Sequence, residues 1–165
     1  MIEFNKDLWN RAEWNGKQRM IAAKGLKEKN PENYYPDKKH LKKETVGVLA
    51  EMLIWNLCKR NGIEFHYETI QHRGSLTEPE FYYKNKGYDV KGVDWDCKLF
   101  TVNKKAHENE SKGVDYYIFV HVTSETTFRY VVVEKKEVDN WKHVVPGEMG
   151  FVTDSMVAPI IDYLK

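Results

Sequence analysis

The residues best suited to chemistry lie between positions 79 and 91. Glu80 precedes a tight-turn sequence, Asn85-Lys86-Gly87, and Asp89 and Lys91 follow it, with aromatic residues on both sides of the turn. Aromatic residues that flank such a turn predict a β-hairpin. Because residues two apart project from the same face of a strand, the second arm of the hairpin presents the Asp89 carboxylate beside the Lys91 ammonium.

A carboxylate fixed beside an ammonium suits the hydrolysis of phosphodiesters. Carboxylates can hold a divalent metal ion, and an ammonium can steady the attacking water or the charge that develops on the phosphate. For the hairpin taken alone, a solvated Asp and Lys on the outer face of an antiparallel edge strand is the commoner explanation. An acid on the upstream helix and the order of the downstream elements favour the catalytic interpretation.

Helical periodicity predicts the element that precedes the hairpin. Across residues 39–60 apolar side chains recur at helical spacing, and Asn61-Gly62 supplies a C-terminal stop. Residues 6–27 predict one or two further helices. The prolines and asparagines of residues 30–37 predict a loop between them.

Alternating and apolar segments predict the strands. Residues 63–67 alternate as a short strand would, and residues 68–78 predict a polar connection to the hairpin. Residues 93–102 predict a third extended segment, and residues 103–109 the start of a short helix. The nearly continuous apolar run of residues 115–122 predicts the centre of the sheet.

The remainder of the chain predicts shorter elements. Residues 127–134 predict a strand in a hairpin with the central one. We expect a helical turn over residues 135–141 and a final short helix over residues 154–164, although that segment contains Pro159.

Length and composition limit the class of protein. A chain of 165 residues fits one compact domain, and its 26 Lys and Arg against 25 Asp and Glu confine any phosphate-binding surface to a local patch. Cys58 and Cys97 match no metal or redox spacing, which indicates reduced thiols. No signal peptide or apolar span is evident, so we expect a soluble, cytoplasmic protein that does not engage a membrane.

The motif Pro79-Glu80, the motif Asp89-Val90-Lys91 and the order of elements around them resemble the PD-(D/E)XK nuclease superfamily, in particular its small phage-type or restriction-like members. The resemblance covers roughly residues 44–122. It implies an α/β fold with a restriction-endonuclease-like core, in which a mixed, mainly antiparallel sheet opened by a hairpin is flanked by helices. Residues 1–37 would form an N-terminal helical extension, 38–134 the nuclease-like core and 135–165 the C-terminal elements. A phage-encoded protein in a bacterial host would fit this class.

The resemblance also implies a site. Glu80, Asp89 and the backbone carbonyl of Val90 would bind Mg²⁺, for which Mn²⁺ could substitute. Lys91 would orient the water or help to deprotonate it. Glu51, on the first core helix, would ligate a metal through water or hold a second one; a boundary carboxylate in water is its alternative explanation.

This chain departs from the family pattern in two respects. Glu80 stands where the family usually has Asp, and only eight residues separate it from Asp89. A second register of the motif is also open, with Asp89 as the first acid and Asp96 and Lys98 as the second acid and the lysine. The hairpin turn favours the register built on Asp89 and Lys91.

Two lysine clusters are candidates for contact with nucleic acid. The first lies at the start of the predicted core helix and the second on the predicted crossover helix, where His107 is a further candidate. A solvated helix face is the commoner explanation of such clusters, but positive charge at a helix N-terminus gains nothing from the macrodipole. The lysines are Lys38, Lys39, Lys42 and Lys43 in the first cluster and Lys104 and Lys105 in the second.

These observations together predict a Mg²⁺-dependent DNA endonuclease whose catalytic residues are Glu51, Glu80, Asp89 and Lys91. Cleavage of both strands would favour a homodimer with two active sites. The alternative is a nuclease-fold protein without catalysis that binds nucleic acid or inhibits a partner protein. The position of Glu80 discriminates between them, because catalysis needs its carboxylate within metal reach of Asp89.

Overall fold

The computed structural model describes residues 1–63 and 79–165, which form a mixed α/β structure. Its two long helices pack on one side of a large sheet, and a small sheet lies on the other. The helices are α1 (Lys6–Lys24), α2 (Lys38–Arg60), α3 (Lys104–His107) and α4 (Lys135–Val138). The strands are β1 (Ile2–Glu3), β2 (Phe81–Tyr83), β3 (Lys86–Val93), β4 (Leu99–Asn103), β5 (Tyr116–Val122), β6 (Thr127–Glu134), β7 (Lys142–Val144) and β8 (Ser155–Pro159).

The large sheet is mixed and has the strand order β1-β6-β5-β3-β2. β3 and β5 run parallel, and the other neighbours are antiparallel. The small sheet is antiparallel, with the order β4-β8-β7. The central position of β5 and its antiparallel pairing with β6 confirm the predictions for those two segments.

Helix α2 lies between α1 and the large sheet, and for this reason most residues in its middle, from Thr45 to Ile54, are buried. The Asp37 carboxylate caps its start by accepting a hydrogen bond from the backbone N–H of His40, and Lys59 and Arg60 favour its C-terminal end. Val46, Leu49 and Ala50 are buried in one cluster with Val90 of β3. The helix predicted over residues 39–60 is therefore confirmed, and α1 is one uninterrupted helix.

The opposite face of the large sheet packs on the small sheet. Phe119 of β5 stacks on Phe100 of β4 with ring centroids 4.8 Å apart, and Trp141 lies beside it at 5.1 Å. Val133 and Met156 belong to the same buried cluster. The two faces of β5 thus contact different groups of elements.

Four predictions about the elements need correction. The segment 154–164 is strand β8 followed by a short 3₁₀-helix, Ile160–Asp162, because β8 pairs with both β4 and β7 and its residues 155–158 are buried. The extended segment 93–102 is interrupted by a turn, so that β4 begins only at Leu99. The predicted crossover helix is the single turn α3. The 3₁₀-helix Pro31–Asn33 occupies part of the predicted loop.

A fifth correction concerns the hairpin. Its turn residues are Lys84 and Asn85, both with positive φ (49° and 65°), and Tyr83 pairs with Lys86. Two consecutive left-handed residues are typical of a type I′ turn, whose twist matches the flanking strands. Lys86 and Gly87, predicted as turn residues, therefore begin β3. The strand predicted over 63–67 and the connection over 68–78 lie outside the described residues, except for Ile63.

Candidate active site

The hairpin brings the two predicted acids together. The backbone N–H of Glu80 donates to the carbonyl of Tyr88 at 2.9 Å, and Phe81 pairs with Tyr88. Glu80 therefore lies one residue before β2, beside the part of β3 that carries Asp89. The charges of Asp89 and Lys91 both act on its carboxyl, so the first acid and the second acid belong to one electrostatic group.

Asp89 is the buried centre of this group, with 2 % of the residue exposed. Its Oδ2 lies 3.1 Å from the Nζ of Lys91, so the strand period of two places this pair as predicted. The same Oδ2 lies 3.2 Å from the Nζ of Lys112. A buried carboxylate requires such compensation, because an isolated charge is costly to remove from water.

The Glu80 carboxyl is largely buried, and several charged side chains act on it. Burial, followed by the negative charges of Glu51 and Asp89, raises its pKa to about 8, against opposing effects from Lys91 and Arg19. Glu51 forms an ion pair with Arg19 of α1, and both side chains are 11 % exposed. Glu51 is therefore held at the edge of the same group by the packing of α1 on α2.

The surroundings of Lys91 favour the protonated, positively charged form of its side chain. Burial by itself would lower its pKa, but the Asp89 carboxylate, which also accepts a hydrogen bond from it, and the carboxyls of Glu80 and Glu51 raise the pKa above its ordinary value. Its side chain keeps 36 % of its surface exposed. At neutral pH it is consequently an ammonium that donates hydrogen bonds, in a position that solvent can reach.

The competing register of the motif lies in the turn that follows β3. The Asp96 side chain is 76 % exposed and accepts a hydrogen bond from Lys42 at 2.6 Å, and Lys98 is exposed as well. Neither residue is buried as Asp89 is. Val90, by contrast, directs its side chain into the apolar cluster against α2, so that only its backbone carbonyl could serve a site on the Asp89 face.

The predicted lysine clusters divide into exposed and paired members. Lys42 binds Asp94 and Asp96 and lies 4.1 Å from the centroid of the Trp95 ring. Lys104 binds Glu108 at 2.6 Å, one helical turn along. Lysines with exposed side chains, available to contact a phosphate backbone, are Lys38, Lys39, Lys43 and Lys105.

His107 is not a surface residue, contrary to the sequence-based suggestion. It is 3 % exposed, with Nδ1 2.8 Å from the Tyr117 hydroxyl and Nε2 2.6 Å from Oδ1 of Asp139. A carboxylate only accepts, so Nε2 donates to Asp139, and Nδ1 of the neutral ring accepts from Tyr117. Tyr117 is the parallel partner of Asp89, and burial, aided by Asp89 and Asp139, raises its pKa.

Lys112 and Arg19 belong to this group, and the sequence analysis missed both. Lys112 lies 23 positions beyond Asp89, in the 3₁₀-helix Glu110–Lys112 that precedes β5. A lysine in a polar loop has no periodicity or motif that distinguishes it from other surface lysines. Only the parallel pairing of β3 with β5 brings its loop beside Asp89.

A metal ion at this group would have few protein ligands. Among residues 1–63 and 79–165 no cluster of three or more His, Cys, Asp or Glu side chains is arranged to hold one. Mg²⁺, however, is usually bound through one or two carboxylates and retains several waters. The carboxyls of Glu80 and Asp89 fit that requirement. Burial, and then the negative charges of Glu51 and Asp89, raise the pKa of Glu80, and a bound cation would oppose these effects.

No family model, curated protein or solved structure matches this chain. In the part of the chain that the structure describes, no helix combines the length and apolar character needed to cross a membrane.

Proposed function

We propose that this protein is a metal-dependent endonuclease that hydrolyses phosphodiester bonds in DNA, as a member of the PD-(D/E)XK class with a restriction-endonuclease-like core. The observation that carries the proposal is the hairpin geometry. It holds the Lys91 ammonium 3.1 Å from the Asp89 carboxylate and brings the Glu80 carboxyl close enough for both charges to act on it. Two carboxyls and a cation in one group meet the minimum requirement of this chemistry.

The roles of the residues follow from their charge and position. Glu80 and Asp89, with the Val90 carbonyl, would hold Mg²⁺ or Mn²⁺, and that ion when bound would polarise the phosphate and lower the pKa of a coordinated water. Lys91, charged and partly exposed, would orient the attacking water and stabilise charge on the phosphate oxygens. Because its pKa is raised, we assign Lys91 to hydrogen-bond donation and not to proton abstraction.

Glu51 would act from the rim of the site. Its ion pair with Arg19 fixes the carboxylate, and its negative charge raises the pKa of Glu80. Because a negative charge beside Glu80 favours a cation there, Glu51 would strengthen the preference of the site for a divalent ion. The exposed lysines of α2 and α3 would contact DNA phosphates without sequence preference.

The proposal is tested by cleavage of supercoiled, linear duplex and single-stranded DNA with Mg²⁺, Mn²⁺ or EDTA. We expect metal-dependent cutting that Asp89→Asn and Lys91→Ala each reduce at least about a hundredfold. Lys86→Ala is the matched control for the lysine, because Lys86 is an exposed lysine of the same strand. Asp96→Asn is the control for the acid, and a loss of activity in that variant would shift the site to the competing register.

A nuclease-fold protein without catalysis is the second candidate, and one observation favours it. Asp89 already has two ammonium partners and Glu51 has a guanidinium, so much of the negative charge is neutralised within the chain. Such a protein would bind DNA or inhibit a partner protein. It is distinguished by DNA binding in EDTA, measured by fluorescence anisotropy, together with the absence of cleavage under every metal condition.

A homodimer would suit cleavage of both strands of a duplex, since each protomer would supply one site. The molar mass in solution, measured by light scattering with and without a DNA duplex, tests this proposal. A monomer that nicks only one strand per binding event would contradict it.

A further inference from the structure

Two ammonium groups contact the Asp89 carboxylate, although one would neutralise its charge. Lys91 and Lys112 both direct Nζ at the same oxygen, Oδ2, at 3.1 and 3.2 Å. The Lys112 side chain is 11 % exposed, so this contact is a buried one. At this oxygen two ammoniums meet one carboxylate, so positive charge locally exceeds negative charge and a further anion is favoured there.

The loop that carries Lys112 is fixed at the hairpin by its own backbone. The Gly87 N–H donates to the Asp115 carboxylate at 2.8 Å, and the Asp115 N–H donates to the Gly87 carbonyl at the same distance. Gly113 has φ 72°, and its carbonyl oxygen would lie 2.1 Å from a Cβ added to Gly87. The backbone on the C-terminal side of Lys112 is thus anchored, while the long lysine side chain retains its rotatable bonds.

A carboxylate oxygen that accepts two ammoniums cannot also bind a divalent cation without strong repulsion between the cations. At hydrogen-bond distances like charges repel by several times the thermal energy even with partial screening. One ammonium must then leave Asp89. Lys91 is the next residue after Asp89 on the same face of β3. Lys112, by contrast, comes from a separate loop and reaches the carboxylate only through its side chain.

We propose that Lys112 is an anion-binding residue of this site, which rests on Asp89 in the absence of a divalent cation and contacts a phosphate oxygen of the bound DNA when a cation occupies that carboxylate. This inference rests on the proposed function, and it adds a residue and an exchange of partners to it. Lys112 would then act as a counter-ion in the free protein and as a phosphate ligand in the complex.

The test measures cation binding and DNA binding separately, without cleavage. Mn²⁺ binding is measured by calorimetry on the whole chain without DNA, and binding of a labelled DNA duplex is measured by anisotropy in Ca²⁺. Lys112→Met keeps the apolar stem and removes the charge. Lys136→Met, which breaks an exposed ion pair with Glu134 away from the site, is the control.

We expect Lys112→Met to bind Mn²⁺ about tenfold more tightly, since a competing cation is gone. The same variant should bind the duplex about tenfold more weakly, with a salt slope smaller by about one. A residue with a purely structural role would not shift the two affinities in opposite directions. Lys112→Arg should retain duplex binding, and it serves as the second variant if Lys112→Met does not fold.

Unchanged or weaker Mn²⁺ binding by Lys112→Met would overturn the inference, and so would unchanged duplex binding. Its failure can be distinguished from failure of the proposed function. Cleavage that depends on Asp89, with neither affinity moved by Lys112→Met, would leave the nuclease and reject the role of Lys112. Opposite shifts in a chain that cuts no DNA would support the exchange at Asp89 and reject the nuclease.

Discussion

The two faces of strands β3 and β5 perform different tasks. On the face toward α2, Val90, Ile118 and Val120 pack into a dry apolar cluster. On the opposite face, Asp89 and Lys91 alternate with those residues, and Tyr117 and Phe119 continue the row on β5. The same strands therefore build a core on one side and, on the other, a charged group beside a second core. Because successive side chains of a strand point to opposite faces, the same strands contribute to both without any extra element.

The contrast shows how a small chain can hold buried charge. The α2 face supplies the rigid packing, because its cluster is apolar throughout. The charges lie at one end of the other face, where a loop and the start of the hairpin can reach them. Each prediction below alters one face or the boundary between the two.

The largest expected effect is a loss of stability, and it tests whether each face of the large sheet packs into a hydrophobic core. Phe119 and Leu49 are both 0 % exposed, one on each side of the sheet. Truncation of either residue to Ala should lower the free energy of unfolding by about 3–5 kcal/mol, through lost burial and the cavity that remains. Urea denaturation measures both variants. If Phe119→Ala costs less than about 1 kcal/mol, the face toward the small sheet is not a core.

A smaller loss is expected at the ion pair that links α1 to the site. Arg19→Met removes the guanidinium from a Glu51 carboxylate that is 11 % exposed, and it should cost about 3 kcal/mol. Lys136→Met, which breaks an exposed pair with Glu134, should cost less than about 0.5 kcal/mol. Thermal unfolding of both variants gives the comparison. Equal losses would mean that the Arg19 pair behaves as an ordinary surface contact.

The contact between α2 and β3 should tolerate no added methyl group. A Cβ on Gly92 would lie 2.7 Å from the Ala50 Cβ and 2.8 Å from the Val46 carbonyl oxygen, so Gly92→Ala should cost about 1–3 kcal/mol. Gly47→Ala on the same helix meets nothing within 4 Å and should instead stabilise by about 0.5–1 kcal/mol. The midpoints of urea denaturation test both signs. A stable Gly92→Ala variant would require the helix to sit farther from the sheet.

The last prediction concerns the pH dependence of stability, which changes gradually over several pH units and is measured in EDTA. The pKa of Glu80 is raised to about 8 from an ordinary value of 4.5, so between these values the folded state binds more protons than the unfolded state. Stability contributed by this group is complete below about pH 4.5 and is lost as the pH rises toward 8. The slope should approach about 1.4 kcal/mol per pH unit, the value for one proton.

Glu80→Gln is the corresponding variant. It should flatten this slope, and at pH 8 it should be more stable than the native chain, because no charge has to be buried. Urea titrations at several pH values between 5 and 8 measure the slope for both chains. A native slope of zero, or one that Glu80→Gln leaves unchanged, would contradict the burial of the Glu80 carboxyl near Glu51 and Asp89.

The structural predictions that were confirmed are those that depend on local pattern. Helix α2 and strands β5 and β6 each carry a long, consistent periodicity, so their positions followed from the sequence. The helix predicted over residues 154–164 was wrong, because the apolar run of this segment fits a helix or a strand equally well. Only pairing on both edges of β8 decides between the two. The hairpin turn was misplaced because Lys84 adopts a left-handed conformation that its residue type does not favour.

By itself, the sequence determined which residues alternate along β3, and therefore that Asp89 and Lys91 share a face. This follows from the pleat of any strand. Only the tertiary structure decided which acids and cations meet there. Glu51 depends on the packing of α1 against α2, and Lys112 on the parallel pairing of β3 with β5. Contacts across 23 or 32 positions reflect the path of the chain through space, and no local preference of the residues encodes that path.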